Sequence, residues 1–226
     1  GHAYNTIYEY AAHAKKIGLK AIAMTDHGPA MAGAPHLYHF QNLKMIPKYI
    51  GGVRILRGVE ANIMDEKGTL DLEDKTLKEL DIVLASFHQN LEYDGTSKSK
   101  NTKALLSVIK NPSVNIIAHP GNPQFPVDTD IILEACKKYC VLIEINNNSF
   151  AGFVRIGSYD GCLEIAKKIK EIDWKVAFGS DAHCIDQLGV FNSSIKLANE
   201  AGLTNKHIVN YSLKMIDKFI LNKHKR

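Results

Sequence analysis

Short apolar runs recur along the chain, and each gives way at its C-terminal end to a histidine, a carboxylate or an asparagine. The runs are Lys20–Thr25, Arg54–Ala61, Ile82–Phe87, Val114–Ala118, Val141–Ile145 and Val176–Gly179. Each is rich in Val, Ile, Leu and Ala and has the length of a buried strand. Each is also continuous rather than alternating, as strands covered on both faces are. Stretches of helical period separate them: Thr6–Ile17, Tyr38–Tyr49, Asn101–Lys110, Thr129–Tyr139, Ser158–Ile172, Ser193–Ala201 and Asn205–Asn222. Gly18 and Gly202 are expected helix stops, and Asp128 and Ser158 expected N-caps. Alternation of this kind implies an α/β fold with parallel strands and right-handed crossovers.

With 226 residues, 45% of them hydrophobic and 23% charged, the chain is expected to form a single domain over residues 1–226. The net charge of +4 is spread along the sequence. It supports a weak bias toward anionic small molecules, and the basic tail Lys223-His224-Lys225-Arg226 reads as a solvated terminus. Cys136, Cys140, Cys162 and Cys184 form no CxxC pair and are expected as free thiols. No membrane span or targeting peptide is visible, so a cytoplasmic protein with no membrane partner is expected.

A barrel and an open sheet both fit the alternation, and the polar residues separate them. A barrel brings every strand's C-terminal end to one face. A doubly wound sheet uses only the ends at its switch point and usually carries a glycine-rich phosphate loop, for which the sequence has no candidate. The barrel is therefore favoured. Imidazole and carboxylate without thiolate make a nitrogen and oxygen site suited to Zn, Mn or Fe. Metals would relieve the repulsion within a carboxylate cluster and supply hydroxide at neutral pH. A lone strand-end histidine is ordinarily a hydrogen-bonded structural group; the coincidence of all the ends is what points to a site. His13, His207 and His224 are expected to be structural, while His36 and His39 flank Leu37-Tyr38 with a weaker claim to substrate contact. Asp26 is expected to orient His27 or to cap a turn.

The ordered strand ends are Thr25-Asp26-His27-Gly28, Gly58-Val59-Glu60-Ala61-Asn62, Phe87-His88, Ala118-His119-Pro120-Gly121-Asn122-Pro123, Glu144-Ile145-Asn146-Asn147 and Gly179-Ser180-Asp181-Ala182-His183. From His2 to about Leu197 this set resembles the PHP (polymerase and histidinol phosphatase) family, and within it the YcdX-type bacterial phosphatases. The resemblance implies a distorted (β/α)7 TIM-like barrel with up to three divalent transition metals, Zn first and Mn or Fe as alternatives. Glu60 would bridge two metals, with His88 and His119 completing one of them. His2, His27 and His183 would hold a second, and Asp181 would serve the remaining one together with Glu60. The family pattern opens with a strand ending in a His-x-His pair, and neither precedes His2 in this sequence. The expectation is a chain that starts short of its natural beginning, with an open barrel and a weakened metal position.

The leading expectation is hydrolysis of a phosphomonoester by a metal-bound hydroxide at a multinuclear site on the barrel's C-terminal face. Arg155 is a candidate phosphate clamp, and Asn62, Asn122 and Asn146 are candidate substrate contacts or ligand-orienting groups. No general acid is identified. An amidohydrolase-like hydrolase keeps the metals and changes the electrophile, but no strand-borne lysine offers a carbamate ligand. A non-catalytic metal-binding structural or regulatory module is the third reading. Loops Asn90–Lys100 and Ser149–Gly157 carry no base-stacking pattern, so the expected partner is a small phosphorylated substrate and not a nucleic acid. Oligomeric state is open, a homo-oligomer included.

Overall fold

A computed structural model describes residues 3–93, 95, 97–152 and 154–221. Helix α1 (Ile7–Lys16) opens on a reciprocal cap, with Glu9 N–H donating to Thr6 Oγ1 and Thr6 N–H to Glu9 Oε2. It stops at Gly18, whose φ of +86° suits a residue without a Cβ. Strand β1 (Ala21–Met24) follows. The helix expected over Tyr38–Tyr49 is cut short. Helix α2 (Leu37–Asn42) runs into a 3₁₀ turn over Leu43–Met45, and Tyr49–Ile50 form a short strand, β2. Pro47 is the cause: it excludes helical backbone at Ile46, which takes ψ 129°.

The remaining elements are β3 (Val53–Asn62), α3 (Asp74–Glu79), β4 (Ile82–Ser86), α4 (Lys98–Lys110), β5 (Ile116–Ile117), α5 (Thr129–Tyr139), β6 (Leu142–Asn146), α6 (Ser158–Glu171), β7 (Val176–Gly179), α7 (Asn192–Glu200) and α8 (Leu213–Ile216). Asp128 caps α5 as expected, accepting Ile131 N–H at 3.2 Å. Ser158 does not cap α6. It is the first helical residue after Gly157, and its hydroxyl donates back to Arg155 O at 2.6 Å. The short helix α3 has no counterpart in the sequence reading.

Strands β1, β3, β4, β5, β6 and β7 lie side by side in chain order and all run parallel, while β2 pairs antiparallel with β3. Strand order that never reverses belongs to a barrel-like winding rather than a doubly wound sheet. The register aligns the C-terminal ends, with Asn62 opposite Ser86 and Asn146 opposite Gly179. Val59, Ala61, Ile117, Ile143 and Ile145 on the strands are almost wholly buried, as are Leu105, Ile109, Cys136 and Ile169 on the helices that cover them. Continuous apolar strands are the consequence of that double coverage.

Among the described residues β1 and β7 do not pair, so the arc is an open half-barrel. A cavity of about 680 Å³ lies along the opening, lined by Ala21 and Ala23 of β1, Phe178 of β7, and Val209 and Leu213. The outer edge of β7 is met by residues 207–210, where a long helix over Asn205–Asn222 was expected. Val176 N–H donates to His207 O at 2.8 Å, and the Asn210 side chain grips both Phe178 N–H (2.7 Å) and Phe178 O (2.9 Å). Pairing with a sheet edge outcompetes the local helical preference of this segment. Helical structure returns as a 3₁₀ turn over Val209–Tyr211, then in α8 and a π turn over Asp217–Leu221; Asn222 lies outside the described residues. Among the described residues no helix is long and apolar enough to cross a membrane.

At the opposite end of the strands from the polar rim, Arg57 and Asp81 lock β3 to β4. Arg57 Nε and Nη2 donate to the Asp81 carboxylate at 2.6 and 3.0 Å, and Arg57 N–H adds a third bond at 3.0 Å. Burial pushes the Asp81 carboxyl up, but these bonds outweigh it and hold the group below its ordinary value of 3.8. The ionised form is thus favoured in the fold, and its stabilisation is lost as pH falls below that value. Asp81→Asn is expected to cost about 2 kcal/mol at neutral pH. Calorimetric melts of both proteins should show the gap in Tm closing as pH falls from about 5 to about 2.

Candidate metal centre

Glu60 sits near the C-terminal end of β3 with its carboxylate turned into the barrel, 8% exposed. Its backbone is held from the β1 side, where Glu60 N–H donates to Asp26 O at 3.0 Å and Gly28 N–H to Glu60 O at 2.9 Å. This bridge brings His27 alongside, with Nδ1 3.5 Å from Glu60 Oε2. His88, beyond β4, places Nε2 3.3 Å from Glu60 Oε1, and His119, beyond β5, places Nε2 2.9 Å from the same oxygen. Ser86 Oγ also donates to Oε1, at 2.9 Å. One carboxylate on β3 therefore gathers three imidazoles, from the ends of β1, β4 and β5.

The imidazoles are oriented from behind. His88 Nδ1 donates to Asn62 Oδ1 at 2.7 Å, which turns Nε2 toward Glu60. Asn62 is fully buried and is itself fixed by Asp71, which accepts Asn62 N–H at 2.8 Å and Asn62 Nδ2 at 2.5 Å. His119 has a left-handed backbone, φ +34°, immediately before Pro120. Both features are unfavourable for a non-glycine residue, at a cost of about 1–3 kcal/mol.

A second polar group stands beyond β7. Asp181, φ +51°, pairs through Oδ2 with Arg155 Nη2 at 2.6 Å and accepts from Asn146 Nδ2 at 3.3 Å and Asn148 Nδ2 at 3.4 Å. Arg155 is braced by Ser149 Oγ at 2.8 Å and Asn146 Oδ1 at 3.3 Å. His183 directs Nδ1 to the Asp181 backbone carbonyl at 2.9 Å. Tyr4 N–H donates to His183 O at 2.9 Å, so the N-terminal segment runs beside this group; His2 lies outside the described residues.

Electrostatics divides the groups clearly. Burial pushes the Glu60 carboxyl up, but hydrogen bonds from His119 and His88 hold it well below its ordinary value. Burial pushes His119 down to about 4, so it is neutral at physiological pH. At Asp181, burial and the Glu60 charge push up while the Arg155 guanidinium prevails and lowers the carboxyl. Glu144 has no such partner: burial first, then the charges of Glu60 and Asp181, push it up to about 8.

An ionised carboxylate set among imidazole nitrogens, with the far side of one imidazole tied to an amide oxygen, is a donor set that fits a divalent transition metal. Among the described residues, ligand atoms of His27, Glu60 and His88 all lie within 4.8 Å of one another. The expected ligands thus fall into a cluster of His27, Glu60, His88 and His119 and an adjoining pair, Asp181 and His183. Of the expected substrate contacts, Arg155 and Asn146 stand at the second group. Asn62 instead backs His88. Asn122 is buried in the turn after His119, where its Oδ1 accepts Gln124 N–H at 3.2 Å. Sequence reasoning passed over Asp71, which lies in an irregular segment with no pattern around it. Glu144 went unassigned although an acid inside a continuous apolar strand was a visible signal.

Residues 1–148 match the PHP domain family. A protein of Thermoanaerobacter sp. (strain X514) bearing the name Probable phosphatase is 49% identical over 226 residues, covering 100% of this chain and 92% of its own. Among solved structures, histidinol phosphate phosphatase from Lactococcus lactis, complexed with zinc, L-histidinol and phosphate, superposes with a TM-score of 0.62 at 16% identity, covering 89% of each chain. A chain from archaeal ribonuclease P with mature tRNA gives a TM-score of 0.56 at 14% identity, covering 87% of this chain and 88% of its own. At those identities the two structures speak to fold alone. The family match and the relative agree with the open parallel barrel and the polar groups at its strand ends: the chain belongs to the PHP domain family.

Proposed function

We propose that this chain is a metal-dependent phosphomonoesterase acting on a small phosphorylated substrate. The observation that carries the reading is the convergence of His27, His88 and His119 on the Glu60 carboxylate, in a chain 49% identical to a protein named Probable phosphatase. Glu60, His88 and His119 would hold one metal. His27 and His183, with His2, would hold a second, and Asp181 with Glu60 would serve a third. Zinc is the first choice for this nitrogen and oxygen set, with manganese and iron as alternatives. The chemistry that such metals would supply there is a nucleophilic hydroxide at neutral pH and neutralisation of phosphoryl oxygens.

The chain's own residues position and balance charge. Asn62 and Asp71 fix which nitrogen His88 presents. Arg155 places a guanidinium beside Asp181, where its planar fork suits a phosphoryl oxygen. The phosphorus–oxygen bond to the leaving group breaks, water oxygen is retained in inorganic phosphate, and the leaving oxygen takes up a proton.

Elemental analysis of purified protein should find divalent transition metal. Turnover of an aryl phosphate should vanish on chelation and return with Zn or Mn, and protein that binds no such metal would refute the reading. Glu60→Gln should lower kcat by about 1000-fold or more, since it removes the carboxylate common to all three imidazoles. Arg155→Lys keeps the charge and loses the fork. It should lower kcat/KM by about 10- to 100-fold, chiefly through KM, and an unchanged KM would remove Arg155 from the substrate site.

A further inference from the structure

Glu144 lies in β6, within the apolar run Val141–Ile145, and is 6% exposed. A carboxylate so placed is unfavourable unless its oxygens are used. Oε2 accepts His119 N–H at 3.0 Å and Asn146 Nδ2 at 3.2 Å. The other oxygen lies against Gly179 of β7, where a Cβ would overlap it. One carboxyl group therefore touches the ends of β5, β6 and β7.

His119 gives this contact its meaning. Its left-handed backbone ahead of Pro120 is a conformation that surrounding structure must impose. Pro120 has no N–H with which to hold the turn. The His119 N–H is held by Glu144, and the same backbone conformation delivers His119 Nε2 to Glu60 at 2.9 Å. We infer that Glu144 is the positioning residue of the centre: its carboxylate oxygen, by accepting the His119 amide, holds that residue in its left-handed conformation and aims its imidazole at Glu60. Gly179 is the space this requires, since a Cβ there would overlap Oε1 and push the whole carboxyl group from its place. The inference rests on the reading of His119 as a ligand only for its consequence at the metal, not for the backbone contact.

Glu144→Gln, Glu144→Ala and Gly179→Ala, compared with the parent chain, test it by two readouts. Amide hydrogen exchange at His119, followed by NMR in metal-free protein, should be slow in the parent and in Glu144→Gln, which keeps an acceptor. It should accelerate at least ~10-fold in Glu144→Ala relative to amides elsewhere in β6. Cobalt affinity, measured by chelator competition with the visible absorption band as reporter, should change less than about threefold in Glu144→Gln. It should fall about 10- to 100-fold, with an altered band, in Glu144→Ala and Gly179→Ala. Gly179→Ala keeps the test open should Glu144→Ala not fold. Parent-like exchange and cobalt affinity in the two alanine variants would overturn the inference. So would a loss in Glu144→Gln equal to that in Glu144→Ala, because charge rather than an acceptor would then be at work. Absence of cobalt binding in the parent would refute the metal centre itself, and the exchange data would still decide the role of Glu144.

Discussion

The buried carboxylate of Glu60 is the group around which the site is arranged. Set near the end of a central parallel strand, it has lost water and must be compensated by what neighbouring strands bring. Three imidazoles and the Ser86 hydroxyl do so, each from a different register position of the sheet or the loop that follows it. Because the strands are parallel and their ends aligned, a residue just past one strand is automatically close to a residue just past the next. The geometry of the candidate centre is thus a consequence of register.

Around that cluster, polar groups sort by whether they find a partner of opposite charge. Asp181 has Arg155, whereas Asp71 has only the neutral Asn62 amide and backbone N–H groups. Glu144 faces two other carboxylates and is satisfied by hydrogen bonds alone. Non-glycine residues at positive φ include His119, Arg155 and Asp181, all at or beside the candidate ligands.

The opening between β1 and β7 is handled by the C-terminal part of the chain. Residues 207–210 lie along β7, and the Asn210 amide reproduces the donor and acceptor that a further strand would offer. The cavity along the opening reaches Glu60, Asp181 and His183 at one end, and its lining is predominantly apolar. The barrel's interior and its site are therefore one continuous space.

Much of this was legible in residues taken in order. The continuous apolar runs, the turn signals and the polar strand ends determined a parallel α/β fold and nominated His27, Glu60, His88, His119, Asp181 and His183, because burial on both faces and chemistry at strand ends both leave a mark on local composition. Local patterning misjudged Tyr38–Tyr49, where Pro47 overrides a helical period, and Asn205–Asn222, where an unsatisfied strand edge is a stronger competitor than helix propensity. It was silent on which asparagine faces inward, on Asp71 behind Asn62, and on Glu144 behind His119. Those are contacts between residues 9 and 25 positions apart. Only the tertiary structure decides such pairings, because hydrogen bonds to a buried carboxylate depend on where distant strands end relative to one another and not on the residues beside them in sequence.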